Sequence, residues 1–208
     1  MKLHDLIKND NLDAARKLIE EGADLNAWDW NKETPLRTAC RLGKREMAEL
    51  LLDSGAEINE VDDMGSSALR EAARQGHTDL VRLLLDRGAE IDIRTENGST
   101  PLHAAAWMGH TETAAFLLDR GADIDARCED GALPIQLAIQ GEKKEVVELL
   151  IRRGADLDAR GLNKATALEL AEAEGYREMA ELIRSTPRPE KTASRPRKSF
   201  LRRLFGGD

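Results

Sequence analysis

The chain reads as an all-α repeat solenoid, a stack of helix pairs joined by hairpin-like loops. Three observations carry that expectation. The dipeptide Gly-Ala recurs at Gly22, Gly55, Gly88, Gly121 and Gly154, and each step is 33 residues. A second set of glycines, Gly43, Gly76 and Gly109, keeps the same step. A third set places hydroxyl residues at Thr34, Ser67, Thr100 and Thr166, with one gap at Leu133. A fixed period of this length marks units that bury their apolar faces only against their neighbours.

The clearest unit is Thr100 to Asp125, TPLHAAAWMGHTETAAFLLDRGADID. Thr100 supplies an N-cap hydroxyl, and Pro101 takes the first helical position, where a missing N–H costs nothing. Gly109 breaks the chain. A second apolar run, Ala114 to Leu118, ends at Gly121, a helix stop. The motifs TPLHAAAWMGH and LLDRGADIDAR resemble the ankyrin repeat, and the resemblance covers about residues 1 to 185. It implies a right-handed, curved stack with protruding tips. It also implies a concave face, made of first helices and tips, that recognises another protein without catalysis.

Taken in order, residues 1–27 form an N-terminal cap, 28–160 hold four internal repeats, and 161–186 form a C-terminal cap. Leu3, Leu6 and Ile7 give the N-terminal cap one short apolar face; Leu12, Ala15, Leu18 and Ile19 give it a second. The first repeat runs from about Asp29 to Val61, with helices near Pro35–Leu42 and Arg45–Asp53. The second spans Asp62 to Arg94, the third Thr95 to Arg127, and the fourth Cys128 to Arg160. In the C-terminal cap, Thr166 and Glu169 form a capping-box pair. Between repeats, alternating residues run into Asp/Asn-Gly, the pattern of a hairpin tip. Gly65, Gly98 and Gly131 supply its positive φ. Lys32 and Lys164 stand there at the two ends, at roughly 1 kcal/mol of strain each. The fourth repeat departs furthest. Leu133 replaces the capping hydroxyl, a loss of about 1 kcal/mol, and Gly141 comes one residue early, leaving Glu142 in phase.

Aromatic residues make up 3% of the chain, so the core must be built from Ala and Leu. Net charge is −8, unevenly spread. Residues 187–208 hold seven basic and two acidic side chains, a net of +5 that leaves −13 on the remainder. An acidic body does not wrap phosphates, so no nucleic-acid partner is expected. Two cysteines in different repeat positions suggest neither a disulfide framework nor a zinc cluster. Cys40 reads as a small core residue and Cys128 as a hairpin residue. No long apolar run appears, and a reducing cytoplasm and a monomer are the expectation.

Catalysis is not expected. His77 and His110 recur in phase and His103 belongs to TPLH, so they are spread along the stack and do not converge on a metal. In the family that the repeat resembles, such histidines hydrogen-bond loops and neighbouring repeats. Thr78 and Thr111 read as cap hydroxyls of the second helices. No nucleophile elbow, phosphate loop or zinc spacing is present, and no cofactor is implied.

The tryptophans are more informative. Trp28 and Trp30 flank the first hairpin, and Trp107 with Met108 ends a first helix, all off the Leu/Ala core pattern. Exposed large apolar residues need a reason, and Trp and Arg are enriched in binding hot spots. The candidate partner-binding residues are Trp30, Glu33, Arg41, Leu42, Asp63, Met64, Arg74, Gln75, Glu96, Trp107, Met108 and Gln140. After Ser185, PRPEKTASRPRK reads as a flexible, disordered linker. Phe200, Leu201, Leu204 and Phe205 then share one helical face with Arg202 and Arg203 opposite. Weak contact of this basic tail with an anionic membrane or an acidic partner is expected, with only transient fold-back onto the body. The main expectation is a protein-recognition module. The alternatives are an adaptor targeted by its tail and a secreted bacterial effector.

Overall fold

Six helix pairs follow one another along the chain in the computed structural model, which describes residues 2–187. They are α1 (Leu3–Lys8) with α2 (Leu12–Glu20), α3 (Pro35–Arg41) with α4 (Arg45–Asp53), and α5 (Ala68–Gln75) with α6 (Thr78–Asp86). There follow α7 (Pro101–Met108) with α8 (Thr111–Asp119), α9 (Pro134–Gln140) with α10 (Lys144–Arg152), and α11 (Ala167–Ala173) with α12 (Arg177–Ser185). A 3-10 turn at Leu162–Lys164 precedes the last pair. First helices pack on first helices and second on second. The first-helix row is the closer packed, so it forms the inside of the curve.

Small side chains allow that approach. Ala39, Ala72, Ala73, Ala105, Ala106 and Ala138 are fully buried in the first helices. Leu51, Leu80, Leu84, Leu117 and Leu150 fill the layer behind them. The core is aliphatic, as the scarcity of rings requires.

The helix starts follow the sequence. Thr34, Ser67 and Thr166 each accept a hydrogen bond from the backbone N–H three residues on. The Glu169 carboxylate in turn accepts from the Thr166 N–H, closing the expected capping box. Thr78 and Thr111 do not cap, contrary to expectation. They are the first helical residues, His77 and His110 occupy the N-cap positions, and the Thr78 hydroxyl instead meets that of Thr113 at 2.8 Å.

Five tips are each closed by a backbone hydrogen bond four residues long, from Asp29, Asp62, Thr95, Cys128 and Gly161. Among the described residues they form no strand, only an isolated bridge between Val61 and Ser67. Lys32 and Lys164 take positive φ as expected, and Asn163 does so as well. A second periodic contact lies behind the tips. The side chains of Asn26, Asn59, Asp92 and Asp125 each accept from a backbone N–H 31 residues on, at Glu57, Glu90, Asp123 and Asp156.

The fourth repeat is less weakened than its sequence suggests. Leu133 is buried in the core, and Gln136, fully buried, takes over the polar work. Its Oε1 accepts from the N–H groups of Leu133 and Leu162, and its Nε2 donates to the Ala165 carbonyl. Glu142 carries the positive φ that glycine has elsewhere. The displaced Gly141 has its own reason: an added Cβ would stand 2.6 Å from the Trp107 carbonyl oxygen.

Gly76 shows what the in-phase glycines are for. Its φ is +77°, and an added Cβ would meet the His110 ring of the next unit at 2.5 Å. Gly88, at φ +91°, has nothing within 4 Å of the same position. Alanine at either site bears about 1 kcal/mol of backbone strain. Gly76→Ala adds overpacking, typically about 1–3 kcal/mol. Chemical denaturation of the two variants should therefore show Gly76→Ala to be the less stable by at least about 1 kcal/mol. Equal losses would mean that the ring contact does not constrain the stack.

Candidate functional site

A groove of about 610 Å³ opens on the inner face between α5, α7 and the fourth tip. Arg70 and Arg74 form its wall on α5, and Glu129 and Asp130 form the opposite wall on the tip. Trp107 and Met108 lie between them with Leu137 beyond, and the floor is His103 and Ala104. The groove thus has a cationic side, an anionic side and an apolar middle.

The floor is fixed from below. His103 is fully buried; its Nδ1 accepts from the Thr100 N–H and hydroxyl, which leaves Nε2 to donate to the Ala132 carbonyl at 3.2 Å. The same geometry holds the tip against the helix. Burial disfavours the imidazolium and pulls the His103 pKa down to about 4. On the α5 wall, Arg74 and Gln75 both donate to Glu71. Burial works against the Glu71 charge, but those donors overcome it and hold the carboxyl below its usual range. Cys128 lines the groove half-buried, and its thiol is pushed up by burial and by Asp130 nearby, which disfavours the reactive thiolate. Burial pushes the Cys40 thiol up as well, in keeping with a core role.

Of the twelve candidate residues, Arg74, Trp107 and Met108 come together here. Trp107 is 46% exposed. Trp30, Asp63, Met64 and Glu96 are exposed on the first three tips. Trp30, at 85%, is the most exposed large apolar side chain among the described residues, and Lys8 lies over its ring at 5.9 Å from the centroid. Asp63 pairs with Lys32, and the Met64 carbonyl accepts from the Glu96 N–H, tying those tips together. Glu33 and Arg41 are engaged with each other in an ion pair of 2.9 Å. Leu42 packs against the core, Gln75 donates to Glu71, and Gln140 is half-buried at the end of α9. The tail residues Phe200, Leu201, Arg202, Arg203, Leu204 and Phe205 lie outside the described residues.

Sequence reading missed Arg70, Asn97, Asp130 and Leu137 as groove residues. The missing step was geometric: the fourth tip leans over α7, the first helix of the preceding unit. The bond from His103 to Ala132 spans 29 residues, and that spacing would have brought the fourth tip to α7.

Among the described residues no group of His, Cys, Asp or Glu has the arrangement of a metal site. No described helix is long and apolar enough to cross a membrane. A family model of ankyrin repeats in three copies matches residues 3–62 and again 58–128. A second, of ankyrin repeats in many copies, matches residues 108–151. No curated protein matches the chain.

A His that is neutral in the fold and ordinary in the unfolded chain contributes stability present above the unfolded pKa, about 6.5. That stability is lost as pH falls toward the folded value of about 4. Between pH 7.5 and pH 5 the His103 contribution should shrink by about 2 kcal/mol. Denaturation at both pH values, in wild type and His103→Gln, should show a gap that is smaller at pH 5. A gap that does not change with pH would place the His103 proton elsewhere.

Proposed function

The chain belongs to the ankyrin-repeat family, and on that premise we propose that it holds a segment of another protein in the groove beside Trp107. Ankyrin repeats are generally protein–protein interaction modules, and the family is typically non-catalytic. The observation that carries the finer reading is the Trp107–Met108 pair, left exposed between walls of opposite charge. Exposed large apolar side chains at a rigid, preformed surface lose little conformational entropy on binding.

The chemistry defines the partner's shape. An extended segment with one large apolar side chain fits between Trp107 and Leu137. An acidic residue on one side of it meets Arg70 and Arg74, and a basic residue on the other meets Glu129 and Asp130. The tips carrying Trp30 and Met64 extend the same surface toward the N-terminal cap. Recognition of this kind suits a cytoplasmic, monomeric module without a cofactor.

Display of a random peptide library on the full chain tests the reading. Selected peptides should carry the acidic–apolar–basic pattern. Trp107→Ala should weaken their binding by about 2 kcal/mol or more, with the melting temperature nearly unchanged. Glu129→Lys should weaken them less and with a stronger salt dependence. Peptides that bind Trp107→Ala as well as wild type would overturn the assignment.

A further inference from the structure

One position near the start of each first helix stands 25 residues before the residue that opens the next tip. At most junctions the two are matched in charge. Asp29 and Asp62 open the first two tips, and each divides its carboxylate between two tasks. One oxygen accepts from tip N–H groups, those of Asn31 and Glu33 in the first tip and of Met64 and Ser66 in the second. The other meets a cation on the helix before, Lys8 at 3.4 Å and Arg37 at 2.9 Å. The fourth and fifth tips open on Cys128 and Gly161, which offer no carboxylate. The helix residues in register there carry no charge: His103 is held neutral by burial, and the other is Gln136.

The third junction is the exception. Thr95 keeps the first task, since its hydroxyl accepts from the Ser99 N–H at 3.0 Å, but it has no carboxylate for the second. The helix residue in register is Arg70. Among the described residues no carboxylate pairs with its guanidinium, which donates only to the Ser66 hydroxyl at 3.3 Å. Glu71, next in sequence, is engaged by Arg74 and Gln75, and Asp62 by Arg37. Burial disfavours the Arg70 charge and holds its pKa below the usual guanidinium range, whereas the Glu71 carboxylate raises that of Arg74. Arg70 also lines the groove that holds Trp107. A half-buried cation without its anion is unfavourable, and an arriving anion relieves it.

We propose that Arg70 is the anion receptor of the groove, and that a side-chain carboxylate of the bound segment stands against it as Asp62 stands against Arg37. This contact rests on the groove being a site for a protein segment, and it narrows the cationic wall to one specificity-determining residue. Arg74 contributes little, because Glu71 already neutralises it. A carboxylate suits the site better than a phosphate. One unpaired guanidinium matches one negative charge, whereas a phosphate monoester carries nearly two. Glu129 and Asp130 on the opposite wall repel the second.

Two measurements on the full chain test this, one of them without any ligand. Thr95→Asp should give Arg70 the partner it lacks and raise the thermal midpoint by about 2–4 °C. The gain should vanish in an Arg70→Gln background. The binding probe is a C-terminally amidated peptide selected on wild type from a random library. Its acidic residue is replaced in turn by the matching amide and by phosphoserine. Wild type should bind the amide form about tenfold more weakly than the acid, and Arg70→Gln should bind the two alike. Thr95→Asp should weaken the acid form by about tenfold and leave the amide form nearly unchanged. An unchanged midpoint in Thr95→Asp would overturn the proposal, and so would an acid preference that survives in Arg70→Gln. Tighter binding of the phosphoserine form would overturn the choice of a carboxylate. Selected peptides that need Trp107 but carry no acidic residue, or ignore Arg70→Gln, would overturn the role of Arg70 alone. A library without a binder, or binders indifferent to Trp107→Ala, would overturn the groove reading as well.

Discussion

The stack depends on one contact made repeatedly: a polar side chain near the start of α1, α3, α7 and α9 reaches forward to the next tip, and only α5 lacks it among the first helices that precede a tip. His4 donates to the Glu33 carbonyl, His103 to that of Ala132 and Gln136 to that of Ala165, each 29 residues ahead. Arg37 reaches the next tip by a different bond, an ion pair with Asp62 at 2.9 Å. A net hydrogen bond contributes only about 1 kcal/mol. Buried donors without acceptors cost more, so these groups admit one register between neighbouring units. Apolar burial drives the helices together, and the forward bonds decide how they sit.

That register is what makes a groove. The tip held by His103 stands over α7, and its Glu129 and Asp130 then oppose the arginines of α5. A shift of one unit's tip would separate the two walls. The exposed side chains of the groove are thus held in place by groups buried a layer below. The pairing of Glu71 with Arg74 and Gln75 likewise fixes the α5 wall.

Much of this was legible in the sequence, and the limits have physical causes. Helix starts, tip positions and the exposed tryptophans follow from local chemistry: caps, glycine at positive φ, breaks in the Leu/Ala pattern. What joins units is not local. The acceptors Asn26, Asn59, Asp92 and Asp125 look like ordinary loop residues until the 31-residue reach is known. Leu133 looked like a lost cap because only its own position was considered; Gln136, three residues on, supplies the missing polar contacts. Thr78 and Thr111 carried a capping residue type one position too late. Glu33 and Arg41, both candidates for the partner surface, bind each other across eight residues, a pairing that local chemistry does not announce.

The outer surface carries a ladder of ion pairs with the same phase: Arg87 with Asp53, Arg120 with Asp86, Arg153 with Asp119. Its rungs are chemically alike, so the chain tolerates a change of length in whole units. Excising residues 68–100 would bring Arg120 against Asp53, the Asp123 amide against Asn59 and the His110 ring over Gly43. Each would replace a contact of the same kind. The third unit is thus a cassette interchangeable with the second. The fourth is keyed to its place, because Lys143 and not histidine covers Gly109, and Gly141 must pass the Trp107 carbonyl. A lineage that gains or loses repeats by unequal exchange could do so in the middle of this chain and keep most junction contacts, the buried Thr113 hydroxyl, which would lose Thr78, being the exception.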